Sequence, residues 1–230
     1  MMFLCRHGAH INNILTGDGI AEVRQSVVAV AKAIADSNNL NGIVLVSSPQ
    51  PRAVQSADIY AEVFAKSEEA GIGGIIRLDP DHRLDMAVGL AEAIKEKHLP
   101  AYKPGHDCMQ TWFLMTQRKA EEIGVEYWDY VANRARSAID EIQLTFPNHI
   151  IVAVCHGGVI EPLLSSFMTN VFDLPSGAVV RVLDNNLTKC SIPTRTLQLN
   201  SGTEHNTFLS MSCLTSPRPV RYRNTAASRC

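Results

Sequence analysis

The stretch "MFLCRHG", residues 2–8, places an arginine, a histidine and a glycine directly behind a short apolar run. The run hardly alternates between apolar and polar residues, which is typical of a strand covered on both faces of a sheet. Three further runs share this character: "IVLV" 43–46, "GIIRL" 74–78 and "IIVAV" 150–154. Together they predict the buried strands of one sheet.

Helical patterns separate these strands. The apolar spacing predicts helices over about 20–35, 52–66 and 119–145, and another that begins near Val159. The longest of them carries its apolar stripe on Trp128, Val131, Ala135, Ala138 and Ile142. Later strands are expected at 179–183, 187–192 and 207–212. Alternation of strands with helices predicts an α/β fold of three layers, in which helices flank a mainly parallel central sheet.

The chain of 230 residues has the length of one α/β domain, which we place at residues 1–213. Residues 86–118 lack a clear period and hold "LPAYKPG", so they are interpreted as an irregular insertion over one end of the sheet. Residues 214–230 contain four arginines and no acidic residue, and we expect this basic tail to be disordered.

Composition excludes several classes of partner. A formal net charge of −2 does not favour nucleic acid as a partner, and no apolar run approaches the ~18 residues that span a bilayer. The N-terminus does not resemble a signal peptide, and the six cysteines form no CxxC pair. We therefore expect a cytoplasmic protein in a reducing environment, with no membrane or nucleic-acid partner. The sequence is compatible with a homodimer.

The opening pattern recurs at two other strand ends. The second strand is followed by "SSPQPR", which places Arg52 at the start of a helix. The strand at 150–154 is followed by "CHGG", which contains His156 and Gly157. Ligands of open parallel sheets bind beyond the carboxyl ends of the strands. Two arginines and two histidines should therefore meet in one crevice, which suits an anion with several oxygens such as phosphate.

Each of these residues also has an ordinary structural interpretation, as a hydrogen-bonded or solvated polar side chain at a strand end. Their recurrence at three strand ends is what favours a site. A metal site on His7 and His10 is a weaker hypothesis, because this pair lacks an evident acidic or third histidine partner. We therefore expect neither a metal nor another cofactor.

The chain at this point resembles the histidine phosphatase superfamily, which has the phosphoglycerate mutase-like fold. The resemblance rests on "RHG", on "SSPQPRAVQSA" and on the late "HGG", and it extends over about residues 2–195. It implies that His7 is the nucleophile that becomes phosphorylated and that His156 is a further catalytic residue, which neutralises charge on the phosphate oxygens. It also implies a set of phosphate-binding residues: Arg6, Asn13, Arg52, His156 and Gly157.

The leaving oxygen needs a proton, and two carboxyl groups could supply it. Members of the superfamily present the acid in an L-x-E segment, a spacing that favours Glu92, through Leu90, over the alternative Asp85. A looser resemblance points to the subgroup of the T-cell ubiquitin-ligand proteins and ecdysteroid-phosphate phosphatase. It rests on the "LPAYKP" stretch and on Glu126 and Arg134, eight residues apart.

The resemblance and the residues together predict a metal-independent phosphomonoester hydrolase that acts through a phosphohistidine on a small molecule or a phosphoprotein. An alternative is an interaction module that keeps the fold but is catalytically weak or silent. A phosphoglycerate mutase is a distant third hypothesis. The mutase pattern "RHGES" is here interrupted by Ala9 and His10, and no "ERHYG" segment is present.

Overall fold

The computed structural model describes residues 1–37, 42–67, 74–99, 108–165 and 174–182, together with the backbone of 189–194 and 207–212. The basic tail and most of the "LPAYKP" stretch lie outside the described residues. Two strands form a small hairpin, β2 (His10–Ile11) and β3 (Ile14–Leu15). The others are β1 (Met2–Arg6), β4 (Ile43–Ser47), β5 (Ile75–Arg77), β6 (Ile150–Cys155), β7 (Val179–Val182), β8 (Lys189–Thr194) and β9 (Thr207–Ser212).

Within this part of the chain, seven strands form one sheet in the order β5-β4-β6-β1-β7-β8-β9. The four strands β5, β4, β6 and β1 pair in parallel, and β7, β8 and β9 continue the sheet in antiparallel fashion. The predicted strands are thereby confirmed, although β8 covers 189–194 where 187–192 was expected. The prediction that the strand at 74–78 is buried was wrong, because β5 lies at the edge of the sheet and its residues are half-buried or exposed. The parallel half places the carboxyl ends of β4, β6 and β1 side by side.

Helices cover both faces of this sheet. The main helices are α1 (Gly17–Ala35), α2 (Pro51–Ser67), α6 (Trp128–Thr145) and α7 (Gly157–Ser165). Alternate residues of β1 enter two separate apolar clusters: Phe3 packs with residues of α1 and α2, and Leu4 packs with residues of α6 and α7. The predicted three-layer α/β architecture is therefore confirmed.

The prediction of one continuous helix over 119–145 was wrong, because the chain forms two helices there. The chain forms α5 (Gln117–Glu122), turns, and then begins α6 at Trp128. Gly124 lies in that turn with a left-handed φ of 69°, which a continuous α-helix does not allow. The apolar stripe of α6 is buried as predicted, so the error concerns the break alone.

Residues 86–118 are also more regular than the sequence suggested. They contain two short helices, α3 (Leu90–Lys95) and α4 (Cys108–Phe113). Leu90 and Trp112 are fully buried in the same apolar cluster as α6 and α7. This stretch thus contributes to the core beneath the site.

In the described part of the chain, no helix is both long and apolar enough to span a bilayer.

Candidate active site

Backbone hydrogen bonds carry the parallel ladder a little beyond the strand ends. The His7 N–H donates to the Cys155 carbonyl at 3.1 Å, and the Ser48 N–H donates to the Val154 carbonyl at 2.9 Å. These bonds fix the first residues after β1 and β4 relative to the end of β6. The side chains that follow the three strands are consequently aimed into one crevice.

His7 is buried, with 4% of its surface exposed, and its two ring nitrogens have different partners. Nδ1 lies 2.8 Å from the Gly8 carbonyl, and Nε2 lies 3.0 Å from Nε of Arg52. A carbonyl can only accept and a guanidinium can only donate, so the proton sits on Nδ1 and the lone pair on Nε2. His7 therefore presents an unprotonated Nε2 to the crevice.

The surroundings of His7 keep its ring neutral. Burial is the main cause that lowers the pKa of His7 to about 3, and the positive charges of Arg52 and Arg6 lower it further. The Gly8 carbonyl opposes these effects, because it stabilises the protonated ring. At neutral pH the ring retains its nucleophilic lone pair.

Arg52 links the other members of the site. Arg52 as a whole is 5% exposed. Its guanidinium donates through Nη1 to the side-chain oxygen of Asn13, and its Nη2 lies 3.1 Å from Nδ1 of His156. Burial lowers the pKa of Arg52, an effect that the Asp85 carboxylate partly offsets. An arginine in a protein stays protonated, so the crevice holds a fixed cation with a planar fork of donors.

A chain of polar contacts leads from Arg52 to a carboxylate. Since Nδ1 of His156 faces a donor, the proton of that neutral ring lies on Nε2, which donates to the Ser48 hydroxyl at 2.8 Å. Asp85 Oδ1 lies 3.9 Å from the same Nε2. Burial lowers the pKa of His156 well below its ordinary value, with the neighbouring His7 and Arg52 as further causes. Both histidines are thus neutral side chains within a positively charged pocket.

The structure separates the two candidate acids. Asp85 follows a short 3₁₀ helix, His82–Leu84, and its Oδ1 accepts hydrogen bonds from the Gln50 amide at 2.6 Å and from the Met86 N–H at 2.7 Å. Glu92 lies exposed in the first turn of α3. None of the described hydrogen bonds or ion pairs joins its carboxylate to the crevice. The two residues do not share one helix, since α3 begins only at Leu90.

The remaining predicted residues surround the same crevice. Arg6 donates through Nη1 to the Leu174 carbonyl, and its charge lowers the pKa of His7, His10 and His156. Asn13 ends the two-residue turn of the β2–β3 hairpin, in a left-handed conformation with φ 67° that asparagine tolerates well. Gly157 is buried at the start of α7, directly after His156.

Sequence reasoning did not assign roles to three neighbours of the site: Ser48, Gln50 and Met86. Ser48 and Gln50 belong to the "SSPQPR" stretch that delivered Arg52, so their position between a strand end and that arginine was a usable signal. Met86, whose sulfur lies 3.3 Å from Nη2 of Arg52, carried no such signal.

His10 joins the site as a ring neighbour of His7. Its ring centroid lies 5.0 Å from that of His7, the same distance that separates His7 from His156. Within the described residues, no group of three or more His, Cys, Asp or Glu side chains is arranged to hold a metal ion. The positive charge of the described site comes from arginine.

The fold and the site together define an α/β protein whose strand ends form a cationic pocket around a neutral histidine. The family model described as "Histidine phosphatase superfamily (branch 1)" matches residues 2–180. The chain belongs to this superfamily of phosphatases and mutases. A search of the curated proteins returns no match.

Solved structures share the fold at low sequence identity. The mycobacterial glucosyl-3-phosphoglycerate phosphatase is similar with a TM-score of 0.52 at 16% identity, over 78% of this chain and 88% of that one. A phosphoglycerate mutase from Bacillus anthracis str. Sterne gives a TM-score of 0.51 at 14% identity, over 92% and 91%. The protein TTHB049 from Thermus thermophilus gives 0.51 at 18% identity, over 78% and 87%.

Proposed function

We propose that this protein is a metal-independent phosphomonoesterase in which Nε2 of His7 is the nucleophile. One observation carries the proposal: Nε2 holds its lone pair toward the crevice, because Nδ1 keeps the proton for the Gly8 carbonyl. The low pKa of His7, about 3, maintains that state over the whole physiological range. A nucleophile that needs no deprotonation can attack phosphorus directly.

Substrate binding transfers the donors of Arg52 from protein to phosphate. In the structure its Nε–H donates to the lone pair on Nε2 of His7, and its Nη2 donates to the lone pair on Nδ1 of His156. Phosphate oxygens are stronger acceptors than ring nitrogens because they are charged, so they compete for the same donors. Binding therefore frees Nε2 at the moment when phosphorus arrives beside it.

In the first step, Nε2 of His7 forms a bond to phosphorus while the bond from phosphorus to the ester oxygen breaks. Arg6 and Arg52 offset the charge on the non-bridging oxygens. Asp85 gives its proton to the leaving oxygen, a role supported by its distance of 3.9 Å from His156, whereas Glu92 lies exposed on α3. In the second step, the Asp85 carboxylate takes a proton from water, the oxygen attacks phosphorus, and the bond to Nε2 breaks.

The test is direct detection of the covalent intermediate. The enzyme is mixed with a ³²P-labelled phosphomonoester and quenched in denaturant, and we expect protein-bound label that is lost in acid and stable in base. His7→Ala should carry no label and show no turnover. His98→Ala, which changes an exposed histidine, serves as the matched control. Wild-type turnover by His7→Ala, or loss of wild-type activity on chelation, would refute the mechanism.

The same preparation separates the alternative functions. A catalytically silent module would bind vanadate but hydrolyse p-nitrophenyl phosphate at background rate. A mutase would interconvert phosphoglycerates. Retention of Arg6, His7, Arg52 and His156 in one crevice supports hydrolysis over a silent module, and the interrupted "RHGES" pattern disfavours a mutase.

Two further parts of the proposal concern relatives and location. We place the chain nearest the T-cell ubiquitin-ligand and ecdysteroid-phosphate phosphatase subgroup, and the ion pair between Glu126 and Arg134 supports this placement. A cytoplasmic location is supported by Cys5, Cys108 and Cys155, which are buried free thiols. The physiological substrate calls for a panel of phosphorylated sugars, nucleotides, sterols and phosphotyrosine peptides.

A further inference from the structure

The segment of residues 83–88 carries Asp85 and Met86 into the crevice. It begins in the short 3₁₀ helix and ends at Val88, directly before Gly89, the residue that precedes α3. It lies beyond β5, and although the Asp81 N–H, two residues before it, bonds to the Ser47 carbonyl of β4 at 2.9 Å, no described backbone bond joins the segment itself to the sheet. What holds Asp85 near His156 must therefore be found in the contacts of the segment itself.

An ion pair outside the crevice bonds to both ends of the 83–88 segment. Nη1 of Arg134 donates to the Arg83 carbonyl at 2.6 Å, at the first residue. Oε2 of Glu126 accepts from the Val88 N–H at 3.2 Å, at the last residue, and the Glu126 N–H donates to the Val88 carbonyl at 2.9 Å. Arg134 and Glu126 bond to each other at 2.8 and 3.0 Å.

The geometry of this pair makes it a stiff connection. A guanidinium and a carboxylate joined by two parallel hydrogen bonds fix each other in distance and in plane. The side chains are only 22% and 18% exposed, so water competes weakly for their bonds. One rigid unit therefore sets the separation between Arg83 and Val88, and with it the place of the carboxylate between them.

We propose that Arg134 and Glu126 are positioning residues that hold Asp85 in register for proton transfer. The inference rests on the function proposed above, in which Asp85 is the general acid. Neither residue has a described contact with the histidines or with Arg52, so they act through the 83–88 segment. Proton transfer is sensitive to such placement, because a displacement of about 1 Å can cost roughly 100-fold in rate.

The experiment compares Arg134→Met with Arg118→Met in the full chain. Arg118 pairs with Glu122 on the surface with 89% of its side chain exposed, so its removal deletes an ion pair that has no described link to the segment. Each variant is assayed with an alkyl phosphate, whose leaving group needs the proton, and with p-nitrophenyl phosphate, whose leaving group does not. Asp85→Asn, alone and combined with Arg134→Met, is the reference. Hydrogen exchange of amides 83–90 is followed in parallel.

We expect Arg134→Met to lose about 10- to 100-fold on the alkyl phosphate and less than about 3-fold on p-nitrophenyl phosphate. Glu126→Gln should follow the same pattern more weakly, because its amide oxygen can still accept from Val88. In the Asp85→Asn background the selective loss should vanish, and the amides of 83–90 should exchange faster in Arg134→Met alone. Arg118→Met should leave every readout unchanged.

Equal losses on both substrates, or exchange at the wild-type rate, would overturn the positioning role. Failure of the proposed function gives a different result. If Asp85→Asn shows no dependence on the leaving group, Asp85 is not the acid. Exchange of amides 83–90 then still decides whether the ion pair holds the segment, so the two conclusions fail separately.

Discussion

His7 and His156 each lie directly after a strand of the parallel sheet, and we call this side of the crevice the strand-end wall. Asp85 lies on the 83–88 segment beyond the edge strand β5, which we call the acid wall. The first wall is held by the register of β1 and β6, in which Arg6 pairs with Cys155. The second is held by the Gln50 amide on the Asp85 carboxylate and by side chains from the turn before α6 and from α6 itself. Backbone pairing thus places the nucleophile, and long-range side-chain contacts place the acid.

This difference predicts that a change in the acid wall lowers the rate according to the leaving group of the substrate. A change in the strand-end wall should instead weaken the binding of the phosphate group of every substrate. Asp85→Asn should reduce hydrolysis of an alkyl phosphate by about 10²- to 10⁴-fold, the usual contribution of a general acid, and affect p-nitrophenyl phosphate only mildly. Glu92→Gln, an exposed carboxylate on α3, is the matched control and should change neither rate. The measurement is kcat for both substrates. The reverse ranking would return the acid role to Glu92.

On the strand-end wall, Arg52→Ala should weaken every substrate alike. The loss of charge-assisted bonds in a buried pocket costs about 2–4 kcal/mol of transition-state stabilisation, or roughly 30- to 1000-fold. Vanadate should raise the melting temperature of the wild type but hardly that of the variant, because ligand binding stabilises only a competent pocket. Arg52→Lys keeps the charge without the planar fork and should recover only a part of both effects. Equal stabilisation of wild type and Arg52→Ala would place Arg52 outside the phosphate site.

The two walls also differ in how far the sequence could predict them. Residues that follow parallel strands must meet at one edge of the sheet, so the strand pattern alone brought Arg6, His7, Arg52 and His156 together. No such rule applies to Asp85. Its described contacts come from Gln50, 35 residues away in the chain, and those of its segment from Glu126 and Arg134, some forty to fifty residues away, whereas the L-x-E spacing favoured Glu92.

The break in the helix predicted over 119–145 has this origin only in part. Part of the turn is local, because the Gly124 N–H donates to the Glu121 carbonyl at 3.1 Å and the Val125 N–H donates to the Ala120 carbonyl at 2.9 Å, the bonds of a glycine that ends a helix. The turn also packs against Gly89, whose backbone lies close to the Gly124 carbonyl. That contact joins residues 35 positions apart in the sequence. The spacing of apolar residues does not report such a turn, although Gly124 was itself a usable local signal for the end of a helix.

A pair of glycine substitutions tests how tightly the acid wall is packed. Both Gly89 and Gly124 have left-handed φ values, 73° and 69°, so alanine at either position costs about 1–2 kcal/mol of backbone strain. A Cβ on Gly89 would also lie 1.9 Å from the Gly124 carbonyl oxygen, whereas a Cβ on Gly124 would meet no atom within 4 Å. Gly89→Ala should therefore cost about 1–3 kcal/mol more free energy of unfolding than Gly124→Ala in urea titrations. Equal costs would show that the two backbones are not in close contact.

The smallest effect concerns the strand-end wall and the pH dependence of stability. His7 and His156 have pKa values below the ordinary value in the folded protein, chiefly because they are buried. In the unfolded chain each histidine binds a proton near pH 6.5. Above that pH the two states bind equal numbers of protons at these rings, and stability does not depend on them. Below it the unfolded chain binds more, so stability falls as pH falls.

For His7 this dependence should extend from about pH 6.5 down toward its folded pKa of about 3. Its full slope is about 1.4 kcal/mol per pH unit for one proton. Urea titrations from pH 7.5 to 5 in phosphate-free buffer should therefore show a shallower loss of stability for His7→Gln than for the wild type. His98→Gln, at an exposed position, should keep the wild-type slope. A wild-type slope in His7→Gln would mean that the pKa of His7 in the folded protein equals its unfolded value near 6.5, and it would contradict a ring that burial keeps neutral throughout this pH range.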